Sequence, residues 1–185
     1  NVGYGRENLA KVAYEQLQVL PYYNSFFKTT TPPAIALAKK LAEITPDGFN
    51  HVFFTNSGSE ANDTVIRTVR RYWRLLGEPD KRVIISRKQA YHGSTVAAAS
   101  LGGQNFAHEM DGLPIADITH IDHPYWYGKG GEFSMDEFGI KTAQCLETKI
   151  KEIGVEKVAA FIGEPIQGAG GVIVPPDTYW PEIQR

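Results

Sequence analysis

One cysteine, Cys145, occurs in 185 residues, so no internal disulfide can form. That usage fits a reducing compartment, and the cytoplasm is the expected location. Charge of one sign is also missing: 19 basic and 21 acidic residues give a formal net charge of −2. This excludes the broad positive footprint that nucleic acid or an anionic membrane needs, so any anion site must be local. No apolar run approaches the length of a membrane span, and NVGYGRENLA at the start has neither the basic opening nor the apolar stretch of a signal peptide. There is no internal repeat, no low-complexity tract and no clear domain boundary. What is present is a chain long enough to bury roughly 70% of its unfolded surface in a core. It opens on Asn1 rather than methionine and stops inside Trp180-Pro181-Glu182-Ile183-Gln184-Arg185, which resembles the opening of a helix. These ends predict an interior piece of a longer protein.

Leu9, Val12, Ala13, Leu17 and Val19 fall mostly at helical spacing within residues 7–19, and Pro21 stops the pattern. Thr31 before Pro32-Pro33 predicts the cap of a second helix carrying Ile35, Leu37, Ala38, Leu41 and Ala42, ended by Thr45-Pro46-Asp47-Gly48. The order that follows is strand (51–56), helix (59–76), strand (82–86), helix (about 94–101), helix (about 135–153) and strand (157–163). Residues 102–134, rich in Gly, Pro, Asp and aromatics, show no period and read as a long irregular excursion. The alternation predicts an α/β fold in three layers, a mainly parallel sheet flanked by helices.

In such a sheet, ligands sit beyond the carboxyl ends of the strands, so the junctions after strands carry the chemistry. The first junction is Ser57-Gly58-Ser59-Glu60. Gly58 permits close backbone approach, and the helix start supplies free amides and a positive dipole end, with the two hydroxyls as further donors. The same residues read equally well as an N-cap at Ser59 above a tight turn. The second junction, Arg87 to Ser94, places Tyr91 where an aromatic ring can stack on a flat heterocycle or pack on the next helix, with Ser94 as its cap. His92 beside it is an acid, a base or a structural histidine. The third, Gly163-Glu164-Pro165-Ile166-Gln167-Gly168-Ala169-Gly170-Gly171, sets a carboxylate at the end of the strand Val158-Ala159-Ala160-Phe161-Ile162. Its glycines precede extended residues, Val172 to Pro176, rather than a helix, which rules out a Rossmann fingerprint. No lysine-bearing phosphate loop occurs. His120, Asp122 and His123 have metal-ligating chemistry without a framing pattern, so a surface or core role is the simpler reading. Arg67, Arg70, Arg71 and Arg74 read as the solvated or interface side of an amphipathic helix.

Taken together, SGSEAN at a strand–helix junction, YHGST and GEPIQGAGG, with YYNSFF, TPDGFNHVFFTNSGSEAND, YHGSTVAAASLGG and VIVPPDTYW, resemble the class III pyridoxal phosphate-dependent aminotransferases of fold type I. The likeness is nearest the omega-amino acid or amine:pyruvate branch. It implies that Gly58 and Ser59, helped by Ser57, hold the phosphate of pyridoxal 5'-phosphate. Tyr91 would stack on the pyridine ring with His92 beside it, and Glu164 would lie near the ring hydroxyl. Phe26 and Phe27 match aromatics that line the neighbouring subunit's substrate pocket, which implies a homodimer or larger assembly with shared sites. A glutamate stands at the position of Ala169 in the ornithine and gamma-aminobutyrate enzymes, and its absence favours the amine:pyruvate branch.

The family's reaction also needs a Schiff-base lysine and an acidic partner for the pyridinium nitrogen. Lys88, Lys129 and Lys157 do not match that lysine, so the catalytic pair is expected beyond Arg185. Residues 1–185 are then part of the large cofactor domain, without the N-terminal segment and small C-terminal domain. The resemblance implies transfer of an amino group from an amine or omega-amino acid donor to a keto acid such as pyruvate. The alternatives are an aminomutase, racemase or decarboxylase on the same cofactor, a catalytically silent phosphate-ligand module, or a sugar-phosphate or nucleotide enzyme.

Overall fold

The computed structural model describes every residue except Asn1, Phe26 and Asp111. Where the sequence shows no boundary, the fold divides into two compact units, Asn1–Phe54 and Thr55–Arg185. The first unit holds α1 (Glu7–Val19) and α2 (Pro32–Ile44). Leu20, extended at φ −158°, ends α1 just before Pro21. Thr31, extended at ψ 151°, precedes the prolines that open α2, whose fixed φ suits a first turn that needs no donors.

In the second unit, α3 (Gly58–Leu75) precedes β1 (Val83–Arg87), and β1 pairs in parallel with β2 (Ile118–Ile121) and β3 (Val158–Phe161) in the order β2-β1-β3. Strand alternation sends successive β1 side chains to opposite faces. Ile84 packs with Ile66 of α3, Ile118, and Leu101 of α4 (Val96–Leu101) on one face. Ile85 packs with Ile121 and with Leu146 of α7 (Met135–Ile153) on the other, joined there by Ile183 of α8 (Tyr179–Gln184). The unit is thus a parallel sheet with helices on both faces, as the alternation predicts. Short helices α5 (Asn105–His108) and α6 (Trp126–Lys129) flank β2 within the segment expected to be irregular.

The differences from expectation have local causes. Residues 51–56 form no ladder with any described strand, and an extended segment counts as a strand only when a neighbour pairs with it. β2 escapes the sequence because its four residues, Ile118-Thr119-His120-Ile121, are too few to show a period. The start of the strand expected at 157 is a 3-10 turn, Val155–Lys157, which follows Gly154 at φ 102°. Helix caps also move by a residue or two. Ser57, not Ser59, caps α3, its Oγ accepting the Glu60 N–H at 3.2 Å. Thr95, not Ser94, precedes α4.

Candidate functional site

With Ser57 serving as the cap, the Ser59 hydroxyl is released for another role. Ser59 Oγ accepts the Ser94 N–H at 3.0 Å, so the first turn of α3 is bound to the loop after β1. Two more bonds run along the same seam: Asn62 Nδ2 donates to the His92 carbonyl at 2.6 Å, and Thr95 Oγ1 donates to Asp63 Oδ1 at 2.8 Å. Glycine is required between them. A Cβ on Gly93, at φ 131°, would lie 2.5 Å from Ser59 Oγ and 2.8 Å from Ala98 Cβ.

Glu164 performs the matching task on the β3 side. Its Oε1 accepts the Tyr91 N–H and its Oε2 accepts the Gly168 N–H, each at 3.0 Å. Gln167, fully buried, donates from Nε2 to the Lys88 carbonyl at 3.0 Å. The junctions after β1 and β3 and the N-terminus of α3 are therefore one hydrogen-bonded body at the carboxyl edge of the sheet. The structure brings Ser57, Gly58, Ser59, Tyr91, His92 and Glu164 into it.

What this edge can do follows from the groups it leaves available. The Gly58 and Ser59 amides open an 18-residue helix with no acceptor among the described residues, and nothing lies within 4 Å of a Cβ built on Gly58. Free amides at the positive end of a long helix, with serine hydroxyls beside them, suit a phosphate. The Tyr91 ring is half exposed while its own N–H is held by Glu164, so the ring is available for stacking with its backbone fixed. His92 is buried, and its Nε2 makes no hydrogen bond among the described residues. Burial pushes its pKa below the usual histidine value, against the opposing pull of Glu164, so the imidazole is held neutral. These residues fit a phosphorylated aromatic cofactor such as pyridoxal phosphate.

Arg87 is the residue that sequence reasoning missed. It is fully buried at the end of β1, beneath the site, and its Nη2 donates to the Glu164 carbonyl. The guanidinium lies 5.7 Å from the Tyr179 ring centre and 5.2 Å from that of Trp180, while Nε and Nη1 meet no acceptor within hydrogen-bonding geometry among the described residues. Arginine is rarely buried this fully, so its residue type gives no sign of a place beneath the site. The available signal was parity: Arg87 lies two residues from Ile85 and so on the same buried face.

The other candidates are placed separately. Asp122 pairs with Lys88 at 2.8 Å and Lys129 at 3.8 Å, and the ion pairing with Lys88 holds its carboxyl below the usual range. His120 Nε2 lies 3.2 Å from the Leu101 carbonyl, and His123 is buried, its Nδ1 making no hydrogen bond among the described residues. Among the described residues, no group of three His, Cys, Asp or Glu side chains is arranged to hold a metal. Phe26 lies outside the described residues, and Phe27, exposed at φ 57°, belongs to the first unit. No described helix is long and apolar enough to cross a membrane.

The model of the aminotransferase class-III family matches residues 1–185. The putrescine--pyruvate aminotransferase of Pseudomonas aeruginosa is 61% identical over 185 residues, covering 100% of this chain and 41% of that protein. An (S)-enantioselective omega-transaminase from Thermomicrobium roseum superposes with TM-score 0.95 at 43% identity, covering 100% of this chain and 41% of its own. The omega transaminase of Pseudomonas jessenii in complex with PMP superposes with TM-score 0.96 at 46% identity, over 99% of this chain and 41% of its own. The chain spans about 41% of the length of the curated relative from Pseudomonas aeruginosa. With the family model running from end to end, and with the parallel sheet and its helices superposing on transaminases, the chain belongs to the class III aminotransferases.

Proposed function

We propose that the complete protein is a pyridoxal phosphate-dependent transaminase that moves an amino group from an amine or omega-amino acid donor to a keto acid such as pyruvate. The observation that carries this reading is the bonding of the three junctions into one edge, through Ser59 to Ser94 and through Glu164 to Tyr91 and Gly168. The name of the 61% identical relative, a putrescine--pyruvate aminotransferase, supports the choice of an amine donor and pyruvate.

In this proposal Gly58 and Ser59 hold the cofactor phosphate through amides and a hydroxyl, with Ser57 stiffening the turn. Tyr91 covers one face of the ring and limits its tilt. His92 stays neutral beside it, able to give or take a hydrogen bond without adding charge. Glu164 acts mainly by fixing the Tyr91 and Gly168 backbones. The cofactor supplies the electron sink that makes loss of a proton from the donor carbon feasible. The lysine that moves that proton is proposed to come from outside these 185 residues. Lys88 and Lys129 are already engaged with Asp122, at 2.8 and 3.8 Å. Phe26 and Phe27 are proposed to line the substrate pocket of a second subunit in a dimer.

The test is amino transfer by the complete protein, with putrescine as donor and either pyruvate or 2-oxoglutarate as acceptor. The expected result is cofactor-dependent formation of alanine from pyruvate at a rate exceeding glutamate formation from 2-oxoglutarate. Racemisation or decarboxylation of the donor, with no amino group appearing on either keto acid, would replace this reading with another reaction on the same cofactor.

A further inference from the structure

The amino-terminal end of the same sheet carries a cleft of opposite character, lined by Arg67, Arg70, Arg71, Arg74, Pro79 and Arg82. Arg70 spans it, with Nε donating to the Arg82 carbonyl at 3.3 Å and Nη2 to the Ala116 carbonyl at 3.5 Å. Those carbonyls lie just before β1 and β2, so the cleft is across the sheet from the Ser59 and Tyr91 edge. The one carboxylate that reaches these side chains among the described residues is Asp117, 3.2 Å from Arg82 and 3.9 Å from Arg70. Five guanidinium groups against one carboxylate leave four positive charges unmatched among the described residues.

A merely solvated helix face does not account for this arrangement. Arg67, Arg71 and Arg74 stand at i, i+4 and i+7 on α3, a spacing at which like charges repel. Neighbouring Lys81, by contrast, has its own carboxylate, Glu78 at 2.8 Å. The chain as a whole is slightly acidic, so the cluster is not a by-product of composition. Every cation in the cleft is arginine, whose planar fork grips oxyanions with two parallel bonds where lysine offers a point charge. Asp117 and the two carbonyls hold Arg70 and Arg82 in place before any ligand arrives. The helical row spans about 10 Å, too far for one small anion to touch all three of its arginines.

We propose that this cleft is a second ligand site, for a compact anion carrying two or more phosphoryl groups. It is independent of the cofactor edge. The probe is tripolyphosphate, with inorganic phosphate as the single-group comparator, titrated by calorimetry into the complete protein already saturated with cofactor so that the Ser59 cup does not compete. The expected result is saturable binding of one tripolyphosphate per chain, at least tenfold tighter than phosphate and weakened by added salt. Replacing Arg67, Arg71 and Arg74 together by Gln should weaken tripolyphosphate about 30-fold, with cofactor content and thermal unfolding unchanged. Replacing the same three by Lys keeps the charge but should still weaken it about fivefold, because the paired contacts are lost. Three results overturn the proposal: no saturable heat, equal affinity in the Gln variant, or native affinity in the Lys variant, which would reduce the cleft to diffuse charge attraction.

Discussion

His123 is the residue whose burial has the clearest consequence in solution. Enclosed below the end of β2, with Lys129 adding repulsion, its pKa is lowered from 6.5 to about 4. An unfolded chain protonates this histidine near pH 6.5 while the folded one resists, so the unfolded state binds more protons between those values. The contribution of His123 to stability is full above pH 6.5 and is lost as pH falls toward 4. Chemical unfolding of the complete protein across that range should show the decline, and His123→Gln should flatten it; a variant with the same slope as the native protein would remove His123 as its source. Arg87 teaches a related lesson. Its charge suggests surface, whereas its place in the strand puts it under the Tyr179 and Trp180 rings, holding the Glu164 carbonyl. Residue type misled here because desolvation is usually prohibitive, and a carbonyl and aromatic faces offset part of it.

At the scale of elements, the functional edge depends on how closely α3 approaches the loop before α4. Gly93→Ala would force a side chain into a φ of 131° and against Ser59 Oγ and Ala98. The expected cost is about 2 kcal/mol in urea unfolding of the complete protein, together with weaker cofactor binding as Ser94 leaves Ser59. Native stability and affinity in that variant would show that the seam is not constrained. Elements of this kind were legible where pattern and punctuation agree. The helix expected at about 135–153 is present, and the structure closes its start with a reciprocal capping box of Ser134 and Glu137. The placement of Tyr91 and Glu164 at strand ends was equally readable, because β1 and β3 are apolar runs followed by loop chemistry. β2 and the unpaired 51–56 were not readable, since pairing is a property of neighbours rather than of the segment itself.

Over the whole molecule, the two ends of one sheet are set apart in charge. The carboxyl edge has a helix N-terminus, a half-exposed tyrosine, a neutral histidine and a carboxylate occupied by backbone amides. The amino end has the arginine cleft. Only the first resembles a cofactor site, and the role proposed for Ser59 there concerns the phosphate rather than the ring. That distinction is tested by titrating apo complete protein with pyridoxal phosphate and with pyridoxal, which lacks the phosphate, in the native chain and in Ser59→Ala. One pyridoxal phosphate per chain is expected, with a loss of about tenfold in its affinity on substitution and pyridoxal affected little. Equal affinity of both proteins for pyridoxal phosphate, or an equal loss for both ligands, would contradict the assignment of residues 57–59 as the phosphate grip.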